Sequence, residues 1–416
     1  MMRSRSGPTT TCLVVLIATS LTACFAGPRA SDHLAERDAT PCRSPRFPYQ
    51  DGWLGADSAY SVSLPGKRTL WLFGDTFVGS PDQPDRNGSS LVHNSIGISR
   101  CDADRRFEVA YFWNRSSGDG ASRGFIPGDD SKHFYWLFDG FVFEGELFLG
   151  LLEVSAAEPR GPLNLPFRFS GMKLARIDHP EDDPRTWQPE LSRLTGRSDA
   201  FSGAMVIHED HLYLFAFIDR DAAQHPRFLA RLPAAALRDP APSLADDIET
   251  LQRDGSWQPG FDPDRAKILM DDNATEMSVH FDAARSKWVA LYSHPNASGG
   301  FPADPFADAI LSRTADRLEG PWSAPRVVHR VAELAVARGA RHDRATICYG
   351  AKAHVQYASD RGAPVTYTCN LYTPDGADPY RVLARLLGRM DLYRPQSVTL
   401  PLRYESERQP ANRPAQ

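Results

Sequence analysis

Tyr60-Ser61-Val62-Ser63-Leu64, then Pro65-Gly66-Lys67, then Thr69-Leu70-Trp71-Leu72-Phe73-Gly74-Asp75: this stretch reads as two strands joined by a tight turn. Apolar, aromatic and β-branched residues fill both arms, and Pro-Gly supplies the turn chemistry between them. Upstream, Gly55-Ala56-Asp57 prolongs the first arm. Asp57 and Asp75 stand equidistant from Gly66, so a regular antiparallel hairpin sets them opposite each other within about one residue of register. Opposed Cβ atoms in such pairs lie roughly 4.5–5.5 Å apart. Two carboxyls held that close do not ionise independently, and one pKa rises. General acid/base work on a glycosidic bond requires such a pair. The plainer reading is that each Asp caps a turn or pairs with Arg68 or Arg86.

The hairpin recurs in form without recurring in sequence. Phe141-Val142-Phe143 turns at Glu144-Gly145 into residues 147–151, and Met205-Val206-Ile207 turns at His208-Glu209-Asp210 into residues 212–215. Residues 278–281 turn into 288–292, and His354-Val355-Gln356-Tyr357 turns near Asp360-Arg361-Gly362 into 365–368. Trp71, Phe148, Tyr213 and Trp288 follow one another at intervals of 77, 65 and 75 residues. Outer-strand candidates follow most hairpins, at residues 95–98, 172–176, 228–231 and 309–313. Helical patterns are few, the best at residues 331–339 and 380–390. Five hairpins at such a period predict an all-β chain, a five-bladed β-propeller with few short helices, over residues 49–402. A stack of β-sandwiches is the alternative.

In a propeller, the first strand of each blade lines the channel and the second returns to the mouth where the first began. Counting back from each first strand gives a ring of Asp57, Asp139, Ser202, Glu276 and Lys352. Asp57, Asp75 and Glu276 are the expected catalytic acids. Asp57 is taken as the ionised partner because it precedes the channel strand, and Asp75 or Glu276 as the proton donor. Asn94, Asp139, Ser202, His280, Lys352, His354 and Asn370 are the expected substrate contacts. For any one of them, blade packing or turn capping is the ordinary role. His208-Glu209-Asp210-His211 fits a solvated turn better than a metal pair, and Asp271-Asp272-Asn273 lacks the spacing of a calcium loop. With no phosphate-binding Gly loop and no serine elbow either, no metal and no cofactor is expected.

Arg3, Arg5 and the short apolar run at residues 13–18 read as an export signal rather than a membrane span. Leu21-Thr22-Ala23-Cys24 resembles a bacterial lipobox, which implies cleavage after residue 23 and lipidation of Cys24. Residues 24–48 then read as a tether and 403–416 as a flexible tail. Cys42, Cys101, Cys348 and Cys369 permit two disulfides in three connectivities; the local pairs Cys42–Cys101 and Cys348–Cys369 are favoured. A net charge of −5 and the lack of a basic run argue against a nucleic-acid surface. The expected chain is a monomer that meets a polysaccharide, and meets a membrane through its lipid anchor only.

Residues 53–75, followed by His93-Asn94-Ser95-Ile96, resemble the five-bladed propeller family once called domain of unknown function 4185. That family is partly assigned to glycoside hydrolase family 183, endo-D-arabinanases of bacterial cell-wall arabinan. Ala351-Lys352-Ala353-His354 with Tyr367-Thr368-Cys369-Asn370 is similar to its last-blade pattern. The resemblance implies catalytic aspartates at Asp57 and Asp75 and a D-arabinan-like furanosidic polysaccharide as substrate. The middle blades, with Asp139 and Glu276, depart from the pattern. Two functions are therefore expected to compete: a lipid-anchored glycoside hydrolase of the cell envelope, or a non-catalytic glycan-binding lipoprotein of the same fold.

Overall fold

The computed structural model describes residues 42–401, apart from 43, 131, 161–164, 221–224, 272–273, 295–308, 336–344, 372 and 374–376. The expected signal segment, Cys24, the tether up to residue 41 and the tail at 403–416 lie outside the described residues.

Blade one holds β1 (Trp53–Leu64), β2 (Arg68–Val78), β3 (Ser90–Val92), β4 (Ser95–Cys101) and β5 (Phe107–Phe112), in the order β1-β2-β4-β5, with β3 beside the end of β2. A short ribbon of β6 (Asn114–Arg115) and β7 (Ser122–Arg123) follows. Blade two is β8 (His133–Phe143), β9 (Glu146–Arg160), β10 (Leu165–Ile177) and β11 (Glu190–Thr195). Blade three is β12 (Ala200–His208), β13 (His211–Ile218), β14 (Arg227–Pro233), β15 (Glu249–Leu251) and β16 (Trp257–Pro259). Blade four is β17 (Ser278–Asp282), β18 (Lys287–Ser293), β19 (Ala309–Ala315) and β20 (Arg326–Arg330), followed by the short helix α1 (Ala332–Ala335). Blade five is β21 (Thr346–Ala353), β22 (Ala363–Leu371) and β23 (Gln396–Leu400), with helix α2 (Pro379–Gly388) inserted before β23. The first strands pack in a ring: β1 on β8, β8 on β12, β12 on β17, β17 on β21, and β21 back on β1. The molecule is a five-bladed β-propeller.

Its strands are apolar on both faces because each blade is covered by a neighbour on either side. Leu70, Trp71, Leu72 and Phe73 run consecutively along β2 and all are fully buried. Burying each such side chain contributes about 1.5–3 kcal/mol. Trp71 closes the seam between the first and last blades. Its ring stacks near Tyr357 at 5.9 Å, and its Nε1 donates to Ser99 Oγ at 2.8 Å, which also meets the Tyr357 hydroxyl. Arg86, fully buried, pairs with neither Asp57 nor Asp75. Its guanidinium donates to the carbonyls of Leu54, Leu386, Arg389 and Leu392 and lies near the rings of Tyr49, Phe77 and Tyr393. Cys42 is joined to Cys101, and Cys348 to Cys369 across the β21–β22 ladder.

Two elements differ from the sequence reading. His354-Val355-Gln356-Tyr357 is not a strand: the first strand of blade five is β21, and residues 355–357 form a 3-10 turn. The ladder reaches Ala353 opposite Val365, the His354 amide donates to the Pro364 carbonyl, and the chain then turns away. Among the described part of 331–339 only Ala332–Ala335 is helical, whereas 380–390 corresponds to α2, whose first turn is capped by Asp378 accepting from the Tyr380 amide.

Candidate functional site

Asp57 sits where β1 leaves its regular pleat. The register with β2 slips between Ala56 and Ser58 and again between Ser58 and Tyr60. Ser58 and Ala59 have φ of 70° and 68°, a region that non-glycine residues seldom occupy. Bulges re-aim side chains, and such backbone clusters at functional sites. Ala56 faces Thr76 and Ser58 faces Phe73, so Asp57 meets the Gly74–Asp75 end of β2. Its Oδ1 lies against Gly74, where a Cβ would come within 2.5 Å of it. Its Oδ2 accepts a hydrogen bond from Tyr349 Oη, at 2.8 Å, across the seam from β21. Asn370 Nδ2 on β22 reaches the same hydroxyl at 3.5 Å.

Burial first, and then the charges of Asp75 and Glu276, hold the Asp57 carboxyl well above the usual carboxylate range. The Tyr349 hydrogen bond and the Lys352 ammonium pull the other way without reversing it. Burial likewise pushes the Tyr349 phenol up. Asp75 has a different shell. Its Oδ1 accepts from Trp136 Nε1 at 2.8 Å and lies 2.9 Å from His93 Nδ1. The His93 ring is stacked on Phe134, with centroids 3.6 Å apart.

Glu276 arrives from blade four, just ahead of β17. Its Oε2 accepts from Lys352 Nζ at 2.5 Å and from Ser58 Oγ at 3.3 Å. Lys352 is buried. It also donates to the Gly350 carbonyl at 2.9 Å and lies 4.0 Å from the Tyr60 ring centroid. Gly350 has φ of 69°, and a Cβ there would sit 3.2 Å from both the Glu276 carboxylate and the Lys352 ammonium. Glycine is thus needed twice over, for backbone and for space.

Asp57, Asp75 and Glu276 therefore converge, linked through Ser58 and framed by Tyr349, Trp136 and Lys352. Asn370 joins them through Tyr349. Asp139 (φ 43°) turns toward the next blade instead, accepting the amides of Gly140 and Met205 at 2.8 and 2.7 Å, and burial raises its carboxyl to about 6. Lys352, expected as a substrate contact, spends its ammonium inside the protein.

Three other expected contacts are buried and bonded within the protein. Asn94 fastens Ile126 and Tyr135 through its amide, Ser202 Oγ donates to the Ala204 carbonyl, and His354 binds Ser61 Oγ and Thr366 Oγ1 through its two ring nitrogens. Burial lowers His354 to about 3. His280 lies further along β17 toward its turn; burial lowers it to about 4, and its Nδ1 has no hydrogen-bond partner among the described residues.

Sequence reasoning missed Tyr349, Trp136, Ser58 and His93 as site residues. Tyr349 carries no signal of its own in the sequence, because the strand-like pattern at 354–357 points to a later first strand than the one that forms, Thr346–Ala353. Trp136 lies beyond the reach of the hairpin pattern, because β8 begins at His133, whereas counting back from Phe141 stops at Asp139.

The family model described as "Domain of unknown function (DUF5005)" matches residues 47–401. The chain belongs to that family. DUF5005 membership overturns the resemblance to domain of unknown function 4185 and glycoside hydrolase family 183. That resemblance rested on the first hairpin, whose Trp71, Phe73 and Gly74 answer packing and spacing needs of the blade, and on a short pattern in the last blade.

Among solved structures, a Bacteroides ovatus ATCC 8483 protein with a provisional hydrolase assignment superposes on this DUF5005 chain with a TM-score of 0.59 at 18% identity. The match covers 84% of this chain and 86% of that one. The likeness is one of fold. A GH43_1 enzyme from Xanthomonas citri (TM-score 0.43, 13% identity, 86% and 90% covered) and an α-L-arabinofuranosidase from Lactobacillus brevis (0.44, 13%, 83% and 91%) superpose more loosely. No curated protein matches the chain.

Proposed function

We propose that this DUF5005 propeller is a glycoside hydrolase in which Asp57 gives a proton to the leaving oxygen and Asp75 is the ionised partner. One observation carries the reading: three carboxyls from two blades converge, and one of them, Asp57, is pushed toward its protonated form by burial and by the other two. The sequence reading had Asp57 ionised. Its burial, which its place in the chain does not reveal, supports the opposite assignment. Trp136 Nε1–H is a donor only and points at Asp75 Oδ1, an arrangement that suits a carboxylate acting as base or nucleophile. Glu276, tied to Lys352, adds negative charge that keeps the proton on Asp57.

An acidic site of this kind suits a neutral polysaccharide. Furanosidic glycans, arabinans included, are the first to test, although the D-arabinan reading no longer has a family match behind it. Export and lipid anchoring are proposed from Leu21-Thr22-Ala23-Cys24, and the two disulfides fit an oxidising compartment. Palmitate labelling equal in the wild type and Cys24→Ser would overturn the anchor.

The activity is tested by reducing-end release from soluble arabinan, xylan and galactan across pH 4–8. Release from at least one, with a bell-shaped pH dependence, is expected. Binding without release from any of them would make the molecule a glycan-binding propeller.

A further inference from the structure

Blade two has the two longest strands among the described residues, β9 and β10, with 15 and 13 residues. The ends of its strands that lie beside Asp75 carry a cluster of aromatic rings that are only partly buried. Phe134 and Trp136 project from β8, and Phe167 from β10. Trp136 packs edge-on against Phe167 with centroids 4.5 Å apart, and Phe134 lies 5.9 Å from Trp136. His93 completes the group by stacking on Phe134.

The cluster makes direct contact with the Asp75 carboxyl. The indole that packs on Phe167 donates to Asp75, and the imidazole that stacks on Phe134 faces the same oxygen. One end of this aromatic wall is therefore a polar tip engaged with the reacting carboxylate, and its body is apolar. Rings used only to fill a blade interior have no need to meet a mouth carboxylate. Apolar surface with a few convergent polar groups is the usual make-up of a small-molecule site. A sugar ring has a matching character, with a C–H face to lay on aromatic carbon and hydroxyls at its edge for the carboxylate.

We propose that His93, Trp136 and Phe167 form a glycan subsite in which the C–H face of one sugar residue, next to the bond under attack, lies on the aromatic wall. The proposal rests on the hydrolase reading for its placement next to a scissile bond, but it concerns binding and is tested by binding. Phe167→Ala removes wall surface and leaves both contacts to Asp75 in place. Trp136→Phe keeps a ring and deletes the N–H that Asp75 accepts.

Isothermal titration with arabinopentaose, xylopentaose and galactopentaose gives the readout, with circular dichroism melts confirming that each variant folds. The wild type is expected to bind at least one of the three. Phe167→Ala is expected to weaken that binding by about tenfold, as loss of on the order of 50 Å² of apolar contact implies. Trp136→Phe should bind within about threefold of wild type while its kcat and pH profile change.

Unaltered binding by Phe167→Ala overturns the subsite, as does failure of folded wild type to bind any of the three. If Phe167→Ala binds normally while Asp57→Asn abolishes hydrolysis, the subsite is wrong and the hydrolase reading stands. If Phe167→Ala loses binding and no protein hydrolyses anything, the subsite stands and the hydrolase reading is wrong.

Discussion

At the scale of single residues, the site depends on atoms that are not there. Gly74 leaves the space that Asp57 Oδ1 occupies, and a methyl group placed there would sit 2.5 Å from that oxygen. The obstructed atom is the end of a side chain, so the cheapest response to Gly74→Ala is for the Asp57 carboxyl to swing aside. The variant should lose at least about tenfold in kcat, since small misplacements of a reacting group are costly, while its melting temperature stays within a few degrees of wild type. Steady-state kinetics and calorimetry on the same preparation check this; full activity in a folded Gly74→Ala would mean that the Asp57 position is not critical. The opposition of Asp57 and Asp75 was legible because the bulge at Ser58 is local. Tyr60 opposite Leu72 and Ala56 opposite Thr76 keep the same centre of register on either side of it. The role of Asp57 was not legible, because the groups that set it, Glu276, Tyr349 and Lys352, arrive from blades four and five.

Among elements, hairpins were readable wherever a two-arm apolar pattern flanked a turn, because alternation and turn chemistry are local. Blade five was misread for a local reason too. Residues 354–357 carry strand-like Val and Tyr, yet here they pack from a 3-10 turn, Tyr357 against Trp71. Arg86 was read as a possible partner for an aspartate, and the structure makes it the clamp on α2. It donates to carbonyls at the C-terminal end of that helix and beyond, where cations are also favoured by the helix dipole. Arg86→Met keeps much of the apolar stem but takes the side-chain donor from the Leu392 carbonyl and one of two donors from those of Leu386 and Arg389, which retain the amides of Arg389 and Leu392; a carbonyl left dry and unpaired costs about 1–3 kcal/mol. A loss of about 1–3 kcal/mol in urea unfolding is expected, with amide exchange in α2 rising first. A variant as stable as wild type, with α2 still protected, would show the clamp to be dispensable.

For the molecule as a whole, the buried titratable groups set a pH dependence with a worked sign. His354 and His280 are held at about 3 and about 4 by burial. An unfolded histidine titrates near 6.5, so on acidification the unfolded chain takes up protons that the folded chain refuses. Their contribution is complete above about pH 6.5 and is lost as pH falls toward 4 and then 3. Asp139, raised to about 6, acts in the opposite sense: its contribution is complete below about pH 3.9 and is lost as pH rises through 6. Replacing His354 by Gln removes one acid-sensitive group, so His354→Gln should lose less melting temperature than wild type between pH 6.5 and 4. Equal losses in calorimetric scans would show that His354 is not held neutral.

The central claim belongs to the assembled mouth: Asp57, enclosed by Tyr349 and pressed by Asp75 and Glu276, is a working acid rather than a structural one. The direct measurement is the rate of reducing-end release by Asp57→Asn beside wild type, on whichever glycan the wild type cleaves. The account predicts a fall of about a hundredfold or more, the scale of a lost general acid, with the fold intact. Asp57→Asn hydrolysing that glycan at close to the wild-type rate would contradict it.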